Sequence, residues 1–249
     1  SEDTYSATAV AIAVGVFVFA PVAALTWRME QSAWPYIAAS SALELLYLVL
    51  LSAGYARAAM SFVYPIARGS APVIVLLASV LALGVGVSLL AAAGVVVIAV
   101  GILLVRGLRG AGSMGELSIA LGVGACIAGY TLVDKHGIAH ANPFSYLEVV
   151  FALTALGYVA GALRLRGAGA LRQGLRASSV LAGVGFFAAY ALVLAALRLA
   201  PAASVAAVRE SSVVFATAWL ALSGRERVTR ERLAGACAVV AGVALVSLG

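Results

Sequence analysis

Nine apolar runs, each close to the length of a membrane-spanning helix, follow one another along the chain with short links between them. They read as 7–27, 35–54, 60–82, 86–105, 116–134, 144–163, 180–197, 203–222 and 233–248. In lipid the backbone must satisfy its own N–H and C=O groups, so runs of this length have to be helices. The sequence therefore predicts an all-α polytopic membrane protein. Composition agrees, with 64% hydrophobic and 10% charged residues, where soluble domains average about 45–50% and about 25%. The longest polar link is Arg164–Ser179. The first run reads as a span and not as a signal peptide, since eight more runs follow it.

Charge sets the next limits. The net charge of +6 is almost all arginine, with Lys135 the single lysine. These cations sit in clusters between apolar runs and not on one solvated face, which argues against nucleic acid and for loops at an anionic leaflet. Counting alternate loops, one side holds Arg57, Arg106, Arg109, Arg164, Arg166, Arg172, Arg176, Arg225, Arg227, Arg230 and Arg232. The other holds Arg28, Lys135 and Arg198. That asymmetry puts the first set in the cytoplasm and the C-terminus outside. Cys126 and Cys237 each lie in an apolar run and read as buried thiols. No Walker loop, dinucleotide fingerprint or HExxH motif is present, so the sequence reads as a non-enzyme without cofactor or metal.

Shifted by 141 residues, the chain aligns on itself without a gap. Tyr5 meets Tyr146, Arg57 meets Arg198, Arg68 meets Arg209 and Ser70 meets Ser211. Gly94 and Gly101 meet Gly235 and Gly242. Residues 1–108 thus match 142–249, while the run at 116–134 has no counterpart. The implied unit has five helices. The expected domains are a first repeat at 1–108, lacking its first helix, and a second at 109–249. Ten helices are expected in the complete protein, with nine here and roughly 33 further residues at its start. An odd number of helices per unit requires the two units to insert in opposite orientations, as in inverted-repeat transporters.

The stretch YPIARGSAP at 64–72, VRESS at 208–212 and the closing Gly224, Glu226, Gly235, Gly242 pattern resemble the EamA-type transporters of the drug/metabolite transporter superfamily. The acidic residue that the family often carries before the last helix of each unit is present as Glu226, with Val85 in its place in the first unit. The resemblance implies ATP-independent secondary transport of small metabolites, often efflux, and cytoplasmic termini, the last in conflict with the charge count. The expected setting is the inner membrane of a bacterium, with a small-molecule substrate and the lipid bilayer as partners. The oligomeric state stays open.

Charged groups inside apolar runs mark the candidate site, because each costs ~2.5–3.5 kcal/mol at a helix centre. Arg68 and Arg209 form a repeat-related pair suited to an anionic group such as a carboxylate, with the structural alternative of snorkelling or helix packing. Tyr64 lies one turn before Arg68, and Pro65 and Pro72 invite a kink. Glu44 is the most interior acid, on a polar stripe with Ser40 and Tyr47. It is the candidate for proton coupling, or for a salt bridge to Arg68 or Arg209. Tyr190 completes the candidate substrate-binding set. Asp134, Glu210 and Glu148 are gate or ion-pair candidates. Asp134 reads as sitting at the water boundary, Glu148 as lying near the start of its helix, and Glu210 as pointing about 100° from Arg209 towards another helix. Gly157 and Gly161 read as packing positions. The leading function is a secondary transporter with its site at mid-membrane between the repeats, acting as an exporter or proton-coupled permease of an amino acid or drug-like compound. The alternatives are an exchanger of phosphorylated or nucleotide-linked sugars, and a non-transporting scaffold subunit.

Overall fold

The computed structural model describes residues 4–57, 60–81, 84, 86–106, 113–212, 215 and 229–248. At 57, 60–62, 64, 65, 105, 106, 232 and 247 it describes the backbone. The α-helices among these residues are α1 (Thr4–Leu25), α2 (Trp34–Arg57), α3 (Met60–Leu81), α4 (Leu89–Arg106), α5 (Met114–Gly137), α6 (Pro143–Gly174), α7 (Ala177–Leu199), α8 (Ala202–Arg209) and α9 (Arg230–Leu248). Among the described residues, five stretches are long and apolar enough to cross a membrane: Thr4–Leu25, Gln31–Ala56, Met114–His140, Pro143–Gly174 and Ala177–Leu199. Ile66–Leu81, Leu89–Leu104 and Leu233–Val246 are shorter apolar helical stretches. The chain is a polytopic membrane protein. Of the expected run 203–222, the described part covers residues 203–212 and 215; Trp219, Arg225, Glu226 and Arg227 lie outside the described residues.

The helices group into two compact units. The first is Ser1–Ala56 with Val133–Leu199, and the second is Arg57–Leu132 with Ala200–Gly249. Each takes helices from both halves of the sequence. Helix α5 begins in the second unit and ends in the first.

In the second unit, α4 packs against α9, its counterpart under the 141-residue offset. A methyl placed on Gly94 would lie 2.7 Å from the Gly242 carbonyl oxygen, and one on Gly242 would lie 2.7 Å from that of Gly94. One on Gly101 would lie 2.8 Å from the Gly235 carbonyl. The offset converts the first pair into the second. Such a contact is isologous, with i touching j and j touching i, as an approximate two-fold axis demands. The order of the pairs makes the helices antiparallel. Only glycines allow this approach, since any Cβ would enter the facing backbone.

In the first unit, the repeat-related helices α1 and α6 make the same kind of antiparallel contact. At one end the Ser145 hydroxyl reaches the Thr26 carbonyl at 3.2 Å. At the other, the Arg166 guanidinium lies over the Tyr5 ring at 5.1 Å. Asn142 starts α6 by accepting the Phe144 N–H on its side-chain oxygen at 2.9 Å, with Pro143 at the first helical position, where no N–H is needed. The linkers at this end pair through Glu30 N–H to the His140 carbonyl (2.9 Å) and Asn142 N–H to the Arg28 carbonyl (2.8 Å). Lys135 donates to the Leu197 carbonyl.

One local expectation changes. The link expected at Arg164–Ser179 is helical as far as Gly174. The break falls at Gly167, whose φ of 78° and ψ of 165° suit glycine alone, and the following turn folds back until Gly174 meets the Ser6 backbone. In α3 the helix runs on through both Pro65 and Pro72.

Gly242→Ala forces a methyl into backbone and should destabilise the protein by ~1–3 kcal/mol. Gly185→Ala, where nothing lies within 4 Å, should be neutral or slightly stabilising. Chemical denaturation in detergent micelles compares the two.

Candidate functional site

In the second unit, two arginines from different repeats converge on one carboxylate. Arg68 comes from the middle of α3, and Arg209 closes α8. Arg68 Nε lies 3.0 Å from Glu210 Oε2, and Arg209 Nε lies 3.8 Å from Glu210 Oε1. The closer contact is held by charge and not by a linear hydrogen bond. Arg68 also donates to the Ser212 hydroxyl at 3.0 Å. The Glu210 side chain is 0% exposed, against 17% for Arg68 and 12% for Arg209. Both cations are therefore held at the edge of a buried anion.

Glu210 was expected to point away from Arg209 towards another helix, and its closer contact is to Arg68 on α3; the looser contact to Arg209 comes in addition. That second contact is possible because α8 ends at Arg209. Glu210, at φ −71° and ψ −9°, and Ser211 bond three residues back, to Ala207 and Val208, at 3.0 Å each. This tightened turn lets the carboxylate swing back towards the preceding guanidinium. Tyr64 belongs to α3, and its side chain lies outside the described residues.

The other candidates belong to the first unit. Asp134, expected at the water boundary, is 0% exposed. Tyr146 donates to its Oδ1 at 2.8 Å and Tyr190 to its Oδ2 at 2.5 Å. A buried carboxylate is tolerable when donors surround it, and two phenolic hydroxyls supply them here. The close seat of the α5 end against α6 follows from Gly137, where a methyl would lie 2.6 Å from the Tyr146 ring. Tyr190 also stacks on Phe151, with ring centres 6.0 Å apart, and Phe151 in turn contacts Phe186 and Phe187. Tyr190 thus serves as both core aromatic and polar donor. Tyr146 was visible in the sequence as the counterpart of Tyr5, but its role depends on a contact that sequence spacing does not specify.

Glu44 is 1% exposed, one turn beyond the fully buried Ser40 on α2. Beside it, the Ser41 hydroxyl donates to the Ile37 carbonyl at 2.7 Å. Tyr47 is half-buried on the same helix. Glu148 lies beyond the first turn of α6, so the stabilisation expected at a helix start does not reach it. Outside the spans, the hydrogen bond from His140 at 3.1 Å holds the exposed Glu30 carboxyl below its ordinary value.

The EamA-like transporter family model matches residues 114–248, more than half of the chain. No curated protein matches. A solved structure titled "Crystal structure of protein" has the same fold, with a TM-score of 0.78 and 16% identity over 99% of this chain and 88% of that chain.

Tyr146→Phe and Tyr190→Phe each remove a donor from a buried carboxylate. Each should cost ~1–3 kcal/mol. Because both act on Asp134, the double variant should depart from additivity. Denaturation of the four forms in a mutant cycle reads both quantities.

Proposed function

The chain belongs to the EamA-like transporter family, and we propose that it is a secondary transporter of a small polar or amphipathic metabolite with a carboxylate, such as an amino acid. The family match makes the chain a membrane transporter. The observation behind the substrate class is the approach of Arg68 and Arg209 to the single carboxylate of Glu210. Two guanidiniums from opposite repeats form a fork that suits any carboxylate, and planar donor geometry makes arginine the residue for this task.

Glu210 then acts as an internal stand-in for the substrate. Its contact to Arg209 is the longer one, so Arg209 is the cation that an incoming carboxylate would take over. Arg68 stays anchored by Glu210 and Ser212. Exchange of one anion for another keeps the site's charge balanced within the membrane, where an unbalanced charge is costly. Tyr64, on the helix that carries Arg68, belongs to the same proposed site.

Proton coupling is assigned to Glu44, a buried acid on a polar helix face. Tyr47 and Tyr190 are assigned to the substrate path. Asp134, Glu148 and Glu210 are assigned to ion-pair or gating roles. The inner membrane is the proposed location.

Reconstituted in liposomes, the protein should carry labelled amino acids down a gradient. Arg209→Gln should raise the half-saturating concentration by about tenfold or more, as expected when a charge-assisted hydrogen bond of ~1.5–3 kcal/mol is lost. Glu44→Gln should remove the dependence on an imposed pH gradient while leaving exchange intact. Flux left unchanged by Arg68→Ala, Arg209→Ala and Glu44→Gln combined would eliminate the assigned site.

A further inference from the structure

The two phenols that hold Asp134 are alike as donors but differ in what lies beyond them. Tyr146 donates to one carboxylate oxygen at 2.8 Å and Tyr190 to the other at 2.5 Å. Tyr190 is stacked on Phe151. The Tyr146 hydroxyl lies within interaction range of a third polar group, the Ser40 hydroxyl on α2.

Ser40 stands apart from other buried hydroxyls of the first unit. Ser41 on α2 and Thr154 on α6 donate to the carbonyl four residues back, at 2.7 and 2.8 Å. That is the ordinary refuge for a hydroxyl inside a helix. Ser40 is fully buried, makes no such bond, and its oxygen has no hydrogen-bond partner. A buried polar group in that condition is costly and calls for an explanation. Its neighbours supply one. Tyr146 lies to one side, and Glu44 is buried one turn further along α2. Residues four apart on a helix have Cβ atoms about 5–6 Å apart, which brings the Glu44 carboxyl within reach of the Ser40 hydroxyl. A hydroxyl both accepts and donates, so one that turns between two partners takes a proton from the first and hands its own to the second.

We infer that Asp134, Tyr146 and Ser40 form a buried proton relay that ends on Glu44, an inference that rests on the proton-coupling role proposed for Glu44 and adds the route. A proton that reaches Asp134 turns the carboxylate into a donor to the Tyr146 oxygen. Tyr146 swings its own hydrogen to Ser40, and Ser40 passes its hydrogen to the Glu44 carboxylate. One proton leaves Asp134 and one arrives at Glu44. Each hydroxyl gains one and loses one, so neither is left charged. Tyr190 keeps its bond to the second Asp134 oxygen and is a positioning residue. The water side lies at the same end of α5. His136, two residues after Asp134, is exposed, and Tyr36 stacks on His136 and His140 with ring centres 6.4 and 6.1 Å apart. His140 bonds the exposed Glu30, and Lys135 donates to the Leu197 carbonyl. Tyr36 also lies one turn before Ser40 on α2, which makes it the competing entrance to the chain.

The test needs no substrate. The full chain in liposomes is given a rapid drop in pH, and the carboxylic-acid C=O stretch of Glu44, identified by its loss in Glu44→Gln, is followed by time-resolved infrared spectroscopy. Tyr146→Phe and Ser40→Ala should each slow the rise of that band by about tenfold or more, whereas Tyr190→Phe, which removes an equivalent hydrogen bond from Asp134, should leave the rate within about twofold. Ser40→Thr keeps the hydroxyl and should restore the native rate. If Tyr146→Phe does not fold, the Ser40 pair decides. A purely structural clamp on Asp134 makes the two tyrosine variants act alike, and that result overturns the relay. So does a Glu44 band that does not respond to pH, that Ser40→Ala fails to slow, or that Tyr36→Phe alone slows. The coupling role itself fails by a different sign: a Glu44→Gln protein whose flux still depends on the pH gradient removes that role, while the infrared rates still judge the relay.

Discussion

Backbone touching backbone, glycine to glycine across α4 and α9, is the contact on which the rest of the second unit depends. Inside a bilayer, helices gain little by hiding apolar surface from one another, since lipid is as apolar as leucine. Association has to come from close packing, and Gly94, Gly101, Gly235 and Gly242 permit it. The isologous register follows from the sequence repeat. Residues 1–108 and 142–249 share one pattern, and equivalent helices from the two stretches pack antiparallel about an approximate two-fold axis. Helices α1 and α6 obey the same logic in the first unit.

Symmetry of this kind brings equivalent side chains together, and the charged groups occur at the places where the two copies differ. Arg68 and Arg209 are equivalent, but only the second copy supplies an acid beside its arginine, because Glu210 corresponds to Gly69. One carboxylate therefore serves two cations. Likewise, Tyr146 and Tyr190 hold Asp134, whereas Tyr5 and Val49 line an open groove. A perfectly symmetric protein would pair arginine with arginine. Departure from symmetry lets the buried charges be neutralised.

The helical, membrane-spanning nature of the chain was legible because the lipid constraint leaves few alternatives. The offset that relates Gly94 to Gly235 also anticipated which helices would pack together. Contacts were harder to read. Asp134 looked like a boundary residue from its neighbours Lys135 and His136, yet two tyrosines from other helices bury it. Glu210 reaches Arg68 on another helix, as its position implied, but its second contact, to Arg209, depends on a turn that a regular helix would not have given. Gly161 looked the same as Gly157 in sequence. One faces Leu45 at close range and the other faces open space. Sequence periodicity specifies the face of a helix; what lies opposite that face is decided by tertiary packing.

The central claim is that Arg209 is the substrate's anion partner and Glu210 its internal substitute. The most direct measurement compares the flux of an amino acid with that of its uncharged amide in proteoliposomes, for the native chain and for Arg209→Gln. The account predicts a strong preference for the carboxylate in the native protein, and near-equal transport of the two compounds in the variant. A preference that survives Arg209→Gln undiminished would contradict it.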